Sequence, residues 1–209
     1  NEEVNSYKKR AFELKSQECY KQAIEMLYKA LETEPDNIEI LFQVGELYFL
    51  LHNYDRAIQY LEKVLDSDEK HLPSLNLLCT IIERQNYIAE AADIAKKIFE
   101  LEKSEYTYLK LIKYYGKIGK ISNIENLMQN NSYNTPKCIC ECANALYQNR
   151  YIDKAKELLS SVDINNPENE SCKVLLGKIY FDENEFEKSK EIFDSFQKTT
   201  QNPEILNYK

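Results

Sequence analysis

Three cysteines at alternate positions, Cys138-Ile139-Cys140-Glu141-Cys142, are the residues best placed by type and spacing to do chemistry. Thiolates are metal ligands and nucleophiles, and a tetrahedral metal site needs several donors converging on one ion. On a helix, Cys138 and Cys142 share a face while Cys140 points almost opposite, so the three cannot converge. The other cysteines, Cys19, Cys79 and Cys172, form no CxxC pair, and His52 and His71 stand far from the cysteines in expected turns. The thiols therefore read as small hydrophobes of buried faces, with Cys140 as the reactive candidate if it reaches the surface. Nucleophilic catalysis needs a base beside the nucleophile, and neither histidine has a partner pattern. Carboxylate pairs are plentiful, but with 35 Asp and Glu they are the background of an acidic helical surface. No glycine-rich phosphate loop, Walker motif or metal signature is present. The expectation is a chain without catalytic residues, cofactor or metal.

The elements that carry these residues are bounded by composition. The 209 residues include only 4 Gly and 5 Pro. Strand-rich folds need turn residues every few positions, so helix is what remains. A formal charge of -8 disfavours phosphate backbones and argues against nucleic-acid partners. The longest apolar run, Leu47–Leu51, is five residues, too short to span a bilayer. The first dozen residues are charged throughout, unlike a signal peptide, and unpaired thiols suit a reducing compartment, so a cytoplasmic location is expected. The sequence opens on Asn1 rather than Met and is expected to be an excerpt of a longer chain.

Laid on itself, the sequence repeats. Tyr20-Lys21-Gln22-Ala23-Ile24 returns 34 residues later as Tyr54-Asp55-Arg56-Ala57-Ile58, and again as Ile88-Ala89-Glu90-Ala91-Ala92. Later copies begin at Ile152, with Ala155 and Leu159, and at Phe186, with Ser189 and Phe193. Each places a small residue three positions after an opening hydrophobe, then apolar residues at helical spacing. A preceding helix repeats as well, in Leu41-x-x-Val44-Gly45-x-x-Tyr48, Tyr108-x-x-Leu111-Ile112-x-x-Tyr115 and Leu176-Gly177-x-x-Tyr180. Pro35 and Pro167 each follow a second helix, where helical structure must stop. Gly45 and Gly177 are expected where a first helix approaches the next one, with Ala11 and Ala143 in the same role.

These residues resemble the tetratricopeptide repeat, a 34-residue helix pair with a ladder of aromatic, Leu-Gly, Tyr, Ala, Phe and Pro positions. Leu41, Val44, Gly45, Tyr48, Tyr54, Ala57, Leu61 and Val64 of the second copy fall on that ladder. Departures are Leu41 for the usual Trp, Glu69 and Lys103 in place of proline, and Ile124 in place of a small residue. The resemblance implies an all-α fold, a right-handed α-solenoid of stacked antiparallel helix pairs forming one repeat domain over 1–209. Its units are 4–37, 38–71, 72–104, 105–135, 136–169 and 170–203, with 204–209 opening a further or capping helix. The fourth unit carries a polar run, Gln129–Thr135, and an expected short second helix. Thr135-Pro136 then reads as an N-cap followed by proline at the first helical position.

Such arrays present the first helix of each pair on a concave side, where repeat positions 2, 5, 9 and 12 face the groove. That register supplies Asn5, Lys8, Phe12 and Lys15 from the first unit, and Glu39, Phe42, Glu46 and Phe49 from the second. The third supplies Pro73, Asn76, Thr80 and Glu83; the fourth, Tyr106, Leu109, Lys113 and Gly116. The fifth adds Lys137, Cys140, Asn144 and Tyr147, and the sixth Ser171, Val174, Lys178 and Phe181. Phe12, Phe42, Phe49, Tyr106, Leu109, Tyr147 and Phe181 are expected as apolar groups on a face that packing does not require.

The family's two-carboxylate clamp for chaperone tails has Lys and Asn in one repeat, Asn in the next, then Lys and Arg. Here those positions hold Lys8, Phe12, Gln43, Pro73 and Leu77, so that clamp is absent. Charge is uneven: residues 103–120 sum to +4 while 1–50, 51–102 and 121–209 each sum to -4. Lys113 and Lys117, with Lys137 and Lys178, are expected to turn a groove toward a partner's acidic stretch, away from Glu39, Glu46 and Glu83. Two readings follow. The first is a non-catalytic protein–protein interaction module or scaffold holding a peptide or protein in its groove, with no nucleic acid and no membrane insertion. The second is a structural or oligomerisation spacer whose groove is covered by another copy or by a missing domain. A third has the excerpt target a catalytic domain outside it.

Overall fold

A computed structural model of the protein describes residues 2–130 and 133–196. Among these residues the chain forms twelve α-helices and one 3₁₀ turn, with no strand. The expected seventh-unit start at 204–209, the end of the sixth unit and part of the polar run after Gln129 lie outside them. Two compact units divide the chain, Asn1–Glu102 and Lys103–Lys209, the boundary falling beside the expected 104/105 junction.

The first unit contains α1 (Glu2–Ser16), α2 (Tyr20–Thr33), α3 (Ile38–Leu50), α4 (Tyr54–Ser67), α5 (Leu72–Arg84) and α6 (Ile88–Leu101). The second contains α7 (Glu105–Lys117), α8 (Ile121–Asn130), α9 (Pro136–Gln148), α10 (Ile152–Leu159), α11 (Glu170–Asp182) and α12 (Phe186–Asp194). The short second helix expected at α8, 10 residues, is shared by α10 with 8 and α12 with 9, against 14 in each of α2, α4 and α6.

Within every pair the turn is the same. Three residues separate the helices, and the middle one is left-handed: Glu18 (φ 58°), His52 (56°), Asn86 (65°), Gly119 (70°), Arg150 (68°) and Asn184 (63°). The next N–H donates to a carbonyl five residues back, as Cys19 to Leu14, Asn53 to Tyr48 and Tyr151 to Leu146, each at 2.9 Å. This is the Schellman arrangement, which satisfies the orphan carbonyls of a helix end. Only Gly119 is free of the Cβ penalty that such a conformation carries.

Between pairs, capping side chains restart the helices. Asn37 accepts from the Ile40 N–H, Ser104 and Thr107 cap α7 reciprocally, and Thr135 Oγ1 accepts from the Cys138 N–H at 3.3 Å ahead of Pro136. His71 belongs to this set: its Nδ1 accepts from the Ser74 N–H. Pro167 does not end a second helix as expected; it opens the 3₁₀ turn Pro167–Asn169 that feeds α11.

The small residues sit at close approaches. Ala23, Ala57, Ala91 and Ala155 are buried, as are Ala11 and Ala143. A Cβ on Gly45 would meet the Leu61 side chain at 3.3 Å, and one on Gly177 would meet the Phe193 ring at 2.7 Å. Gly116, expected in the groove, is instead buried where α7 meets α9: a Cβ there would stand 2.8 Å from the Cβ of Ala145. In the first unit the core runs through Val4, Leu14, Ile24, Leu27, Ile40 and Val44. Behind it the hydroxyls of Tyr28, Tyr48 and Tyr60 join α2, α3 and α4, with Tyr28 Oη 2.7 Å from Tyr48 Oη and 3.2 Å from Tyr60 Oη. Burial is the main cause that raises the Tyr28 hydroxyl above the usual tyrosine range, and its two hydroxyl partners add to it.

Candidate functional site: the first-helix faces

In the first unit, α1 and α3 are tied across their exposed sides by two ion pairs. Lys8 reaches Glu39 at 2.5 Å and Lys15 reaches Glu46 at 2.6 Å. Phe12 lies between these lysines on α1 and is 71% exposed. Lys8 and Lys15 of α1 thus match Glu39 and Glu46 of α3 on either side of Phe12. They form an ion-paired face around one exposed ring and not an acidic end of a groove.

Phe42 and Phe49 were expected on a face free of packing, and the structure corrects this. Both are half-buried against the core made by Ala57, Leu61 and Ile81. The Phe42 ring meets His71 edge-on at 5.4 Å, and Phe49 lies 6.0 Å from the Tyr54 ring and under the Arg84 guanidinium at 4.7 Å. The rings turn back onto the following pair, because an aromatic at these positions is long enough to reach it. Asn76 and Thr80 are occupied by their own helix, each bonding a carbonyl four residues back.

In the second unit, α7 shows its free side most clearly. Thr107, Tyr108, Leu111, Ile112, Tyr114, Tyr115 and Gly116 are buried. Tyr106 is 69% exposed, Leu109 and Lys110 are half-buried, and Lys113 and Lys117 are exposed. Spacings of three and four put these residues in one stripe. On α9, Lys137 is exposed, while Asn144 and Tyr147 are half-buried. Asn144 accepts from the Gln148 amide at 3.5 Å, and the Tyr147 hydroxyl donates to Asp182. On α11, Val174 is buried, so it leaves the expected groove set, and Lys178 is half-buried. Phe181 is 42% exposed, with its ring 5.5 Å from Phe186.

The thiols divide as helical geometry requires. Cys138 and Cys142 are buried on one side of α9, where Cys142 Sγ lies 3.6 Å from Tyr108 Oη. With Tyr108, Met128, Tyr133 and Leu158 they line a cavity of about 410 Å³ whose walls carry no charged side chain. Burial pushes the Cys142 thiol up to about 11, so it stays protonated at neutral pH. Cys140, half-buried on the other side, lines a second cavity together with Cys172 of α11, a neighbour that no spacing within the sequence indicates. Among the described residues no cluster of His, Cys, Asp or Glu could hold a metal ion, and no helix is long and apolar enough to cross a membrane.

Comparison with known proteins agrees with this architecture. Residues 15–82 match the family model described as tetratricopeptide repeat. No curated protein sequence matches the chain. Among solved structures, Pseudomonas aeruginosa pilF is 17% identical, with 99% of this chain and 96% of that chain covered and a TM-score of 0.56. YrrB, described as a TPR protein with an unusual peptide-binding site, is 15% identical over 88% of this chain and 92% of its own, with a TM-score of 0.59. The first TPR of Spaghetti (RPAP3), bound to the HSP90 peptide SRMEEVD, is 16% identical over 56% of this chain and 97% of its own, at a TM-score of 0.50. At these identities the likeness is one of fold: all-α and built of helical repeats.

Proposed function

We propose that the chain, whose residues 15–82 match the tetratricopeptide-repeat family model, is a non-catalytic protein–protein interaction module whose first-helix faces take a peptide or protein partner. The observation that carries this reading is the stripe on α7, where Tyr106 is 69% exposed and Lys113 and Lys117 stand exposed on the same side. Stability does not ask for an aromatic ring in water; a partner that buries it accounts for its presence. Tyr106 and Lys113 are two helical turns apart, about 10 Å, and Lys117 is one turn further. The ligand class is therefore a segment that sets an apolar side chain about 10 Å from one or two carboxylates. The peptide-bound RPAP3 repeat and the peptide-binding site of YrrB lend support at the level of fold. A clamp for a two-carboxylate tail is not the mode, since Phe12 and Pro73 occupy positions where that clamp needs amide and amine groups.

A peptide-display selection against the folded chain tests this. Enriched sequences should combine Asp or Glu with an aromatic or aliphatic residue, and Tyr106→Ala/Lys113→Glu/Lys117→Glu used as bait should lose them. Recovery of the same sequences by that variant would refute the reading. If a second copy were the occupant instead, light scattering would show a dimer that Tyr106→Ala dissociates.

A further inference from the structure

Cys140 and Cys172 stand on different helices, α9 and α11, 32 positions apart in the sequence. A contact with the α9 backbone and a shared cavity set their side chains side by side. Cys172 Sγ lies 3.4 Å from the carbonyl oxygen of Pro136, one helical turn before Cys140. A helical side chain leans over the turn N-terminal to its own Cα, so the Cys140 thiol overlies the same spot. Both side chains line one cavity of about 350 Å³, whose rim carries Lys137, Glu141, Glu168 and Ser171. A water molecule occupies roughly 30 Å³ of liquid, so a cavity of this size admits small polar solutes. The geometry points to an oxidisable dithiol: Cys140 and Cys172 form a reversible disulfide that ties α9 to α11 when the protein meets a hydroperoxide.

The chemistry balances with hydrogen peroxide as oxidant. The Cys172 sulfur, as thiolate, attacks one peroxide oxygen; the O–O bond breaks, and the leaving hydroxide takes up a proton to become water. The Cys172 sulfenic acid stands beside Cys140, whose sulfur attacks it; the S–O bond breaks, a second water leaves with the Cys140 proton, and the S–S bond forms. Two thiols are oxidised by two electrons and one peroxide is reduced to two waters. The hydrogen bond from Cys140 favours the thiolate at Cys172, whose thiol is lowered below the usual cysteine range, while that bond and burial hold the proton on Cys140. Division of labour between attacking and resolving sulfur follows from that asymmetry. The other thiols lack the arrangement. Cys138 and Cys142 are raised mainly by burial, and Cys79 has its Sγ 3.6 Å from the Ala91 carbonyl. Cys172 is buried as well, and the cavity it lines with Cys140 is its access.

The test is disulfide mapping of the unmodified chain after brief exposure to hydrogen peroxide, quenched by iodoacetamide under denaturing conditions. The expected product is one cross-linked peptide pair joining Cys140 to Cys172, lighter by two hydrogen atoms and reopened by dithiothreitol. It should form about tenfold faster than oxidation at Cys19, the other half-buried thiol. Both sulfurs remaining thiols, or Cys140 or Cys172 accumulating as sulfinic acid without a link, would overturn the inference. Cys140→Ser provides the second arm: it should abolish the cross-link and leave Cys172 to trap a sulfenic-acid probe. A variant in which Cys172 is no more reactive than Cys79 would equally contradict the assignment.

Discussion

Gly116→Ala is the substitution for which the packing makes the sharpest prediction. In an isolated helix it would stabilise, because alanine is favoured over glycine by about 1 kcal/mol. Here the new Cβ would lie 2.8 Å from the Ala145 Cβ and 3.3 Å from its Cα. Neither atom can turn aside, since both are fixed to the α9 backbone, so the helices must separate by about 1 Å to reach ordinary contact. Overpacking of this kind costs about 1–3 kcal/mol. Separation also strains the Asn149 amide, which donates to the carbonyls of Gly116 and Ala145 at 2.8 Å each and so staples α7 to α9. A weakened hydrogen bond adds about 1 kcal/mol. The net expectation is a loss of about 1–3 kcal/mol, a fall of roughly 5–15 °C in the melting of a unit this size. Gly45→Ala is the internal control: its nearest neighbours are the Leu61 side-chain atoms at 3.3 Å, which can shift, so the change should lie within about 1 kcal/mol of neutral. Thermal and denaturant unfolding followed by circular dichroism measure both. Ala145→Gly added to Gly116→Ala should recover stability, with a coupling of about 1 kcal/mol or more in the double-mutant cycle. A Gly116→Ala protein as stable as the parent, or a larger loss at Gly45→Ala, would refute the close approach of α7 and α9.

Three further outcomes follow from the same geometry. Glu18→Gly and Arg150→Gly relieve left-handed residues that bear a Cβ and should each raise stability by about 0.5–1 kcal/mol in denaturant titrations, with smaller gains at Asn86 and Asn184, whose type tolerates that conformation. Tyr28 and Tyr108 are both raised above the usual tyrosine value of about 10, chiefly by burial, so the folded state favours their neutral forms. That contribution is whole below pH of about 10 and is lost as pH climbs toward the folded-state values, so melting temperature should decline across the alkaline range, less steeply in Tyr28→Phe. If the Cys140–Cys172 link forms, it closes a loop of 33 residues and should stabilise the chain by about 3–4 kcal/mol over its reduced form, visible as a higher melting temperature that dithiothreitol reverses.

Much of the fold was legible because its period is written in side chains that packing cannot do without. Ala23, Ala57, Ala91 and Ala155 are notches where larger groups would hold helices apart, and Gly177 marks one of the two tightest glycine approaches. Gly116 carried the same signal but was assigned by register to the open face, because a glycine's place in a repeat does not reveal which helix leans on it. Phe42 and Phe49 failed for a related reason: register gives the side a residue starts from, whereas a long ring can fold back onto the next pair. Of the six left-handed turn residues, Gly119, Asn86 and Asn184 are of types that tolerate that conformation, whereas Glu18, His52 and Arg150 are held in it by the helix-end hydrogen bonding. The meeting of Cys140 with Cys172 depends on how α9 stacks on α11, which no spacing within one repeat encodes. Lys8 and Lys15 could have been matched with Glu39 and Glu46 from the sequence, as each pair is 31 residues apart and both recur on one face.

The central claim is that the first-helix face, and the α7 stripe above all, binds a partner segment. Its most direct test is the dissociation constant of a display-selected acidic peptide, measured by fluorescence anisotropy on the parent chain, on Tyr106→Ala/Lys113→Glu/Lys117→Glu, and on Lys190→Glu, an exposed lysine of α12. Loss of an aromatic anchor and reversal of two charges together remove about 3 kcal/mol, so the triple variant should bind roughly 100-fold more weakly and with a flatter salt dependence, while Lys190→Glu stays at the parent value. A folded triple variant that binds within about twofold of the parent would contradict the claim.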